Sequence, residues 1–157
     1  MDLKGYFQAH MPHSQIVADI LENNASAAIA DWLSRVEADP DIIPIPLAAK
    51  ERCAHLPEMF RDIITRLRTP LALGTRALIS DAADEHGSKR REQGYTASMI
   101  VEESRMLQVS IFETLQRNLK DMNSSLLLGD IMTIADEVDS QLAQAMSSFL
   151  FEPKANG

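Results

Sequence analysis

The sequence predicts an all-α fold, an antiparallel bundle of about five helices. Three observations predict it. Apolar residues recur at steps of three and four over most of the chain, the spacing that lines one face of a helix. No segment shows the strict alternation of a half-buried strand. Turn residues gather between the periodic segments, at Pro40 to Pro46, Thr69-Pro70, Gly94 and Asn123-Ser124-Ser125.

The elements follow in order. Ser14 caps a first helix whose apolar positions are Ile16, Val17, Ile20, Leu21, Ala28, Ile29, Trp32, Leu33 and Val36. They form a single stripe that stops before Pro40, because a residue preceding proline is pushed out of the α region. Asp39 to Leu47 carries three prolines and reads as an extended connector. A short helix covers Ala48 to Ala54. Pro57 then sits in the first turn of the next helix, where its missing N–H costs nothing. That helix buries Leu56, Met59, Phe60, Ile63, Ile64 and Leu67 and ends at Thr69-Pro70.

A third long helix runs from about Thr75 to Gln93, with a stripe of Leu78, Ile79, Ala82, Ala83, His86 and Arg90. Gly94 stands where a left-handed C-terminal cap belongs. Thr96 caps the next helix, Ala97 to about Asp121, with Met99, Ile100, Glu103, Met106, Leu107, Ser110, Ile111, Leu115 and Leu119 on one side. The last helix runs to about Phe151. Its set Ile131, Ala135, Val138, Leu142, Ala145 and Phe149 steps by four and three in turn, the spacing of a dimerising seam. An ordinary bundle helix carries the same spacing.

The 157 residues make one domain, with residues 1–13 a flexible N-terminus and 125–151 the dimerisation or signalling helix. With 45% hydrophobic and 24% charged residues, the chain can build a core. A net charge of -8 disfavours nucleic acid and anionic lipid as partners. Cys53 is the only cysteine, so no internal disulfide and no cysteine-based zinc site can form. The N-terminus has no apolar signal stretch, and no run reaches the ~18 apolar residues of a membrane span. The expected setting is cytoplasmic.

Two polar residues interrupt apolar stripes on consecutive helices. His86 lies eight residues before Gly94 and Glu103 nine after it, so an antiparallel pairing brings them to the same height. A buried carboxylate needs a partner, and an imidazole supplies one. The pair either fixes helix register or binds a ligand or senses pH. Lys89, Arg90 and Arg91 form a small basic cluster that, with Arg105, could hold an anion or pair with Glu92, Glu102 or Glu103. His10 and His13 have H-x-x-H spacing but flank Met11-Pro12 and lack a third ligand, so no metal site is expected. Leu67-Arg68-Thr69-Pro70-Leu71 resembles the segment after the phosphorylated histidine of sensor kinases. Thr65 stands where that histidine would be, and glycine-rich nucleotide boxes are lacking. No other catalytic constellation assembles, and the expectation is a protein that is not an enzyme.

The stretch His86-Gly87-x-x-Arg90-x-x-x-Gly94-Tyr95, followed by Ile100-Val101-x-Glu103 and Leu107, resembles the RsbRD N-terminal domain family. These are helical input domains of RsbT co-antagonist proteins and of some bacterial histidine kinases. The helix around Trp32 and the helix opening at Leu56-Pro57 resemble the family too, so the likeness spans about Ile16 to Phe149. Ser104 stands where the family has Tyr, and Gln108 where it often has Arg. The resemblance implies a non-catalytic sensory domain of stress or two-component-type signalling, in a helical bundle of globin-like kind. It implies a ligand site at His86, Arg90, Tyr95, Glu103 and Leu107. The implied partners are a second copy of the chain and a downstream effector protein or domain. Family members carry an effector domain after this one, whereas this sequence ends at Gly157, as a stand-alone protein or a piece cut after its last helix. No cofactor is expected. The alternative is a small-molecule or haem-binding protein, with His86 as the axial ligand.

Overall fold

The computed structural model describes residues 13–69, 71–75, 79–119 and 124–151. Within them lie seven helices and no strand: α1 His13–Asn23, α2 Ala25–Glu37, α3 Ala49–Arg52, α4 Leu56–Arg68, α5 Asp81–Glu92, α6 Ala97–Asn118 and α7 Ser124–Leu150. The fold is an all-α bundle. His10, Leu78, Asn123 and the side chains of His13 and Ser14 fall outside what is described, and with them the H-x-x-H pair and the first cap.

Local chemistry explains where the helices break. The single first helix of the sequence reading is two, because Asn24 interrupts it. The Asn24 side-chain amide donates to the Ile20 carbonyl at 2.7 Å, competing with the continuing helix for that acceptor. The connector after α2 is a set of tight turns, not an extended segment. Asp39 Oδ1 accepts from the backbone N–H groups of Asp41 at 2.8 Å and Ile42 at 3.2 Å. That turn carries Ile42 into the core, where it is fully buried. α5 starts at Asp81 rather than near Thr75. Its cap, Ser80, accepts from Ala83 N–H at 3.1 Å and donates to Asp62 at 2.5 Å, so tertiary contacts fix the start. Ile79, placed on the buried stripe by the sequence, is exposed. Gly94 has φ +88°, the left-handed turn expected of it, and Thr96 caps α6 by accepting from Met99 N–H at 3.4 Å. Ser124 and Ser125, read as a turn, already belong to α7.

α7 is the hub: α5, α6, α4 and α1 all lie against it, while α1 also packs on α4 and α2 on α6. The core between them holds Val17, Leu21, Trp32, Phe60, Ile63, Ile111 and Ile134. α5 and α6 follow one another in sequence but do not pack face to face, because α5 is drawn onto α7 instead. A Cβ on Gly87 would come within 2.0 Å of the Ala145 carbonyl oxygen, so only glycine lets the two backbones meet. Ser80 lies beside Gln144, Ser88 beside Ser148, and Arg91 beside Phe149. The contacts advance together, so α5 and α7 run in the same sense. No helix among the described residues is long and apolar enough to cross a membrane.

Candidate functional site

His86 and Arg90 project from α5, one turn apart, towards Glu103 on α6. Arg90 Nε donates to Glu103 Oε2 at 3.0 Å, and His86 Nε2 lies 3.6 Å from the same oxygen. The expected height match between His86 and Glu103 is thus met. It is met by long side chains reaching between helices whose backbones stay apart. Trp32 Nε1 donates to the Glu103 carbonyl at 2.9 Å, fixing that turn of α6 to α2. All three of His86, Arg90 and Glu103 are buried.

Arg90 is satisfied on every side. Its Nη1 donates to Gln93 at 2.8 Å and its Nη2 to the Arg52 carbonyl at 2.6 Å, and the guanidinium stacks 4.6 Å from the centre of the Tyr95 ring. Tyr95 reaches this position because the left-handed turn at Gly94 folds the chain back, its N–H donating to the Arg90 carbonyl at 3.0 Å. Arg52 then donates to the Tyr95 hydroxyl at 2.6 Å and to the Ile45 carbonyl at 2.7 Å. The basic cluster therefore disperses. Lys89 pairs with Glu92 at 3.3 Å, Arg91 donates to the carbonyls of Phe149 and Phe151, and exposed Arg105 pairs with Glu102 on its own helix.

Burial sets the charge states. It pushes the His86 pKa below the usual imidazole value, and the Arg90 charge acts the same way against the pull of Glu103. Burial alone would raise Glu103. The hydrogen bond from His86 and the Arg90 charge outweigh it and hold the carboxyl below its ordinary value. The network is thus a carboxylate paired with a guanidinium beside a neutral imidazole. Burial also raises the Tyr95 phenol, so it stays protonated.

On the far side of this network is an internal cavity of about 30 Å³. His86, Glu103, Leu107, Trp32 and Ile100 wall one side, and Val138, Gln141, Leu142 and Ala145 of α7 the other. Ser104 and Leu142 also line it and are half-buried. Two carbonyl-type oxygens here have no hydrogen-bond partner, Glu103 Oε1 and Gln141 Oε1. Of the residues named from the sequence, His86, Glu103 and Leu107 line the cavity, and Arg90 and Tyr95 buttress it from behind. A haem ligated by His86 does not fit: Nε2 faces Glu103, and the space has no room for a macrocycle. No group of three His, Cys, Asp or Glu among the described residues could hold a metal ion.

Sequence reasoning missed Arg52, Gln141 and Glu137. Gln141 stands on the row Ile134, Val138, Gln141, Ala145, all buried. A polar residue at helical spacing among apolar ones was the signal that found His86 and Glu103, and it would have found Gln141. Glu137 lies one turn before it, also buried, and receives a hydrogen bond from Gln141 Nε2 at 3.4 Å. Burial lifts its pKa to about 7, against the opposing effects of Gln141 and Arg66. In the expected seam, Val138 and Ala145 point into the chain's own core, while Ile131, Ala135, Leu142 and Phe149 are half-buried. No family model, curated protein or solved structure matches this chain.

Proposed function

We propose that the chain is a non-catalytic regulatory input module that acts through its C-terminal helix. The observation that carries this reading is the position of the cavity. It lies between the His86–Arg90–Glu103 network and α7, beside the crossing at Gly87 and Ala145. Anything that binds one packing of α7 better than another shifts that helix, which is all a sensor needs. The likeness of the His86-to-Tyr95 block to RsbRD-type input domains supports the same reading. It suggests a place in cytoplasmic stress or two-component-type signalling, upstream of an effector.

The output face would be the outward row of α7. Leu128 and Met132 are 57% and 48% exposed, and half-buried Ala135, Leu142, Met146 and Phe149 carry the row on by fours and threes, interrupted at exposed Asp139. We read this row, rotated from the one through Val138 and Ala145, as a homodimer seam. Leu142→Asp is a poor test, since Leu142 also lines the cavity. Met132→Asp alters the outward row alone. In native mass spectrometry the wild-type chain should be a dimer and Met132→Asp a monomer that circular dichroism shows to be folded. A wild-type monomer at micromolar concentration would overturn the dimeric output. Small-molecule binding near His86 without a signalling role is the second reading, favoured by the same cavity.

A further inference from the structure

The contact between α4 and α7 has more carboxyl groups than donors to meet them. α7 brings half-buried Asp136 and buried Glu137, and α4 brings half-buried Asp62 and buried Arg66. Two of the three carboxyls have good donors. Asp62 accepts from the Ser80 hydroxyl at 2.5 Å, and Asp136 from the Gly74 N–H at 3.2 Å and from Arg66 Nη2 at 3.5 Å. Arg66 Nη2 also donates to the Ala72 carbonyl at 3.4 Å, so the guanidinium bonds to Asp136 and the backbone and not to Glu137. Glu137 is 3% exposed, and among the described residues it has one hydrogen bond, the long one of 3.4 Å from Gln141 Nε2. The same Nε2 donates to the Met59 carbonyl of α4 at 2.9 Å.

A carboxylate taken out of water with no cation bonded to it is costly, so this packing holds Glu137 as the neutral acid. Its neighbours act on balance the same way: Asp62 and Asp136 repel a charge there, and Arg66 attracts it. Asp130 lies buried two turns earlier on the same side of α7. On α1, Asp19 and Glu22 are paired with Arg68. On α5 and α6, His86, Arg90 and Glu103 pair with one another beyond Gln141. An ionised Glu137 competes with the Met59 carbonyl for the Gln141 amide, the bond that ties this turn of α7 to α4. Moving α7 off α4 gives the carboxylate water instead. The two packings therefore differ in proton affinity, and such a difference is what lets a bound species move an equilibrium. With the carboxyl at about 7 in this packing and 4.5 in water, the bias is at most about 300-fold.

We propose that Glu137 makes α7 a proton-controlled switch: protonated, it lets α7 lie against α4, and ionised, with its proton passed to solvent, it drives that stretch of α7 away from α4. Low pH holds the packing seen here, and rising pH releases it. The stretch that moves carries Met132, Ala135 and Asp139 of the outward row, so the proton reaches the seam. The inference rests on the reading of α7 as the output helix, and it adds the hydrogen ion as an input.

The distance between the two helices tests it. Nitroxide labels on Glu58→Cys of α4 and Ser147→Cys of α7, both exposed positions, are read by double electron–electron resonance. Cys53→Ser removes the native thiol, and dilution into unlabelled chain leaves only distances within one chain. The mean distance should lengthen by about 2 Å or more between about pH 6 and about pH 8. Glu137→Gln stays neutral and should keep the acid distance throughout. If that variant fails to fold, NMR of the Glu137 carboxyl carbon in the wild-type chain takes its place, and should titrate at about 6–7 together with the distance. A distance that ignores pH, a change that persists in a folded Glu137→Gln, or a carboxyl that titrates near 4.5 overturns the proposal. Should the distance stay fixed while Met132→Asp still splits the dimer, the switch falls and the regulatory reading stands. A pH-driven change in a chain that never dimerises is the reverse case.

Discussion

α4 and α5 have nearly the same length, 13 and 12 residues, and are held by different physics. α4 buries Leu56, Met59, Phe60, Ile63, Ile64 and Leu67, a broad apolar face whose attraction grows with area and tolerates changes of shape. α5 buries Ala82, Ala83, His86, Gly87 and Arg90. Little of that is apolar area. It is docked by a close backbone crossing, by the Ser80–Gln144 amide pair and by an ion pair under Tyr95. An area-driven helix has many near-equivalent registers; a helix held by paired charges and a glycine crossing has one. The cavity lies beside the second kind, where α5 has one defined position against α7.

The difference is sharpest where both helices lose a large buried side chain. Arg90→Met keeps most of the volume but strands Glu103, whose remaining neighbour is a neutral imidazole. It should cost about 3–5 kcal/mol, read as a lower urea midpoint, and Glu103→Met added to it should recover part of the loss. On α4 a similar volume-conserving change, Phe60→Leu, should cost under about 1.5 kcal/mol. Equal losses at the two positions would erase the distinction. Next in size is Gly87→Ala, where the new Cβ meets the Ala145 carbonyl. We expect about 1–3 kcal/mol of destabilisation, against the gain that Gly→Ala gives in an unconstrained helix.

Different in form, because it depends on pH, is the effect of Glu137. Its pKa rises from 4.5 to about 7 on folding. Between those values the folded chain holds a proton that the unfolded chain has released, so this group makes stability fall as pH rises through the window and adds no slope above it. Glu137→Gln removes that fall. Thermal melts should show the variant gaining on the wild type from pH 4.5 to 7, by up to about 3 kcal/mol at pH 8. A pH-independent difference would place Glu137 in water. His86, lowered by burial, acts in the other direction, losing stability as pH falls below 6.5, and cancels in this comparison because both chains carry it.

The contrast between the two helices also explains what could be read from the chain. The apolar face of α4 was legible, since hydrophobic periodicity and area say the same thing there, whereas buried Arg66, which reaches Asp136 on α7, was not. Gly94 and Thr96 were legible because a turn and a cap are local chemistry. His86 and Glu103 stood out as polar residues on apolar rows. The break at Asn24 and the start of α5 at Ser80 were hidden. One depends on a side chain competing for a carbonyl, the other on Asp62 and Gln144, which are distant in sequence. α7 carries apolar residues on two neighbouring rows that share Val138 and Ala145. Periodicity alone could not phase it, because Glu137 and Gln141 occupy the buried row. Arg52, in a single turn of helix after the prolines, left no trace in any pattern.

Control of α7, but not of α4, by the buried network near His86 is open to direct measurement. Hydrogen exchange on Glu103→Gln tests it most directly, since the substitution keeps the volume and removes only the charge that holds Arg90. We expect faster exchange of the amides of residues 138–149 on α7 and unchanged protection of residues 60–67 on α4. Equal loosening of both helices, or an unchanged α7, would contradict it.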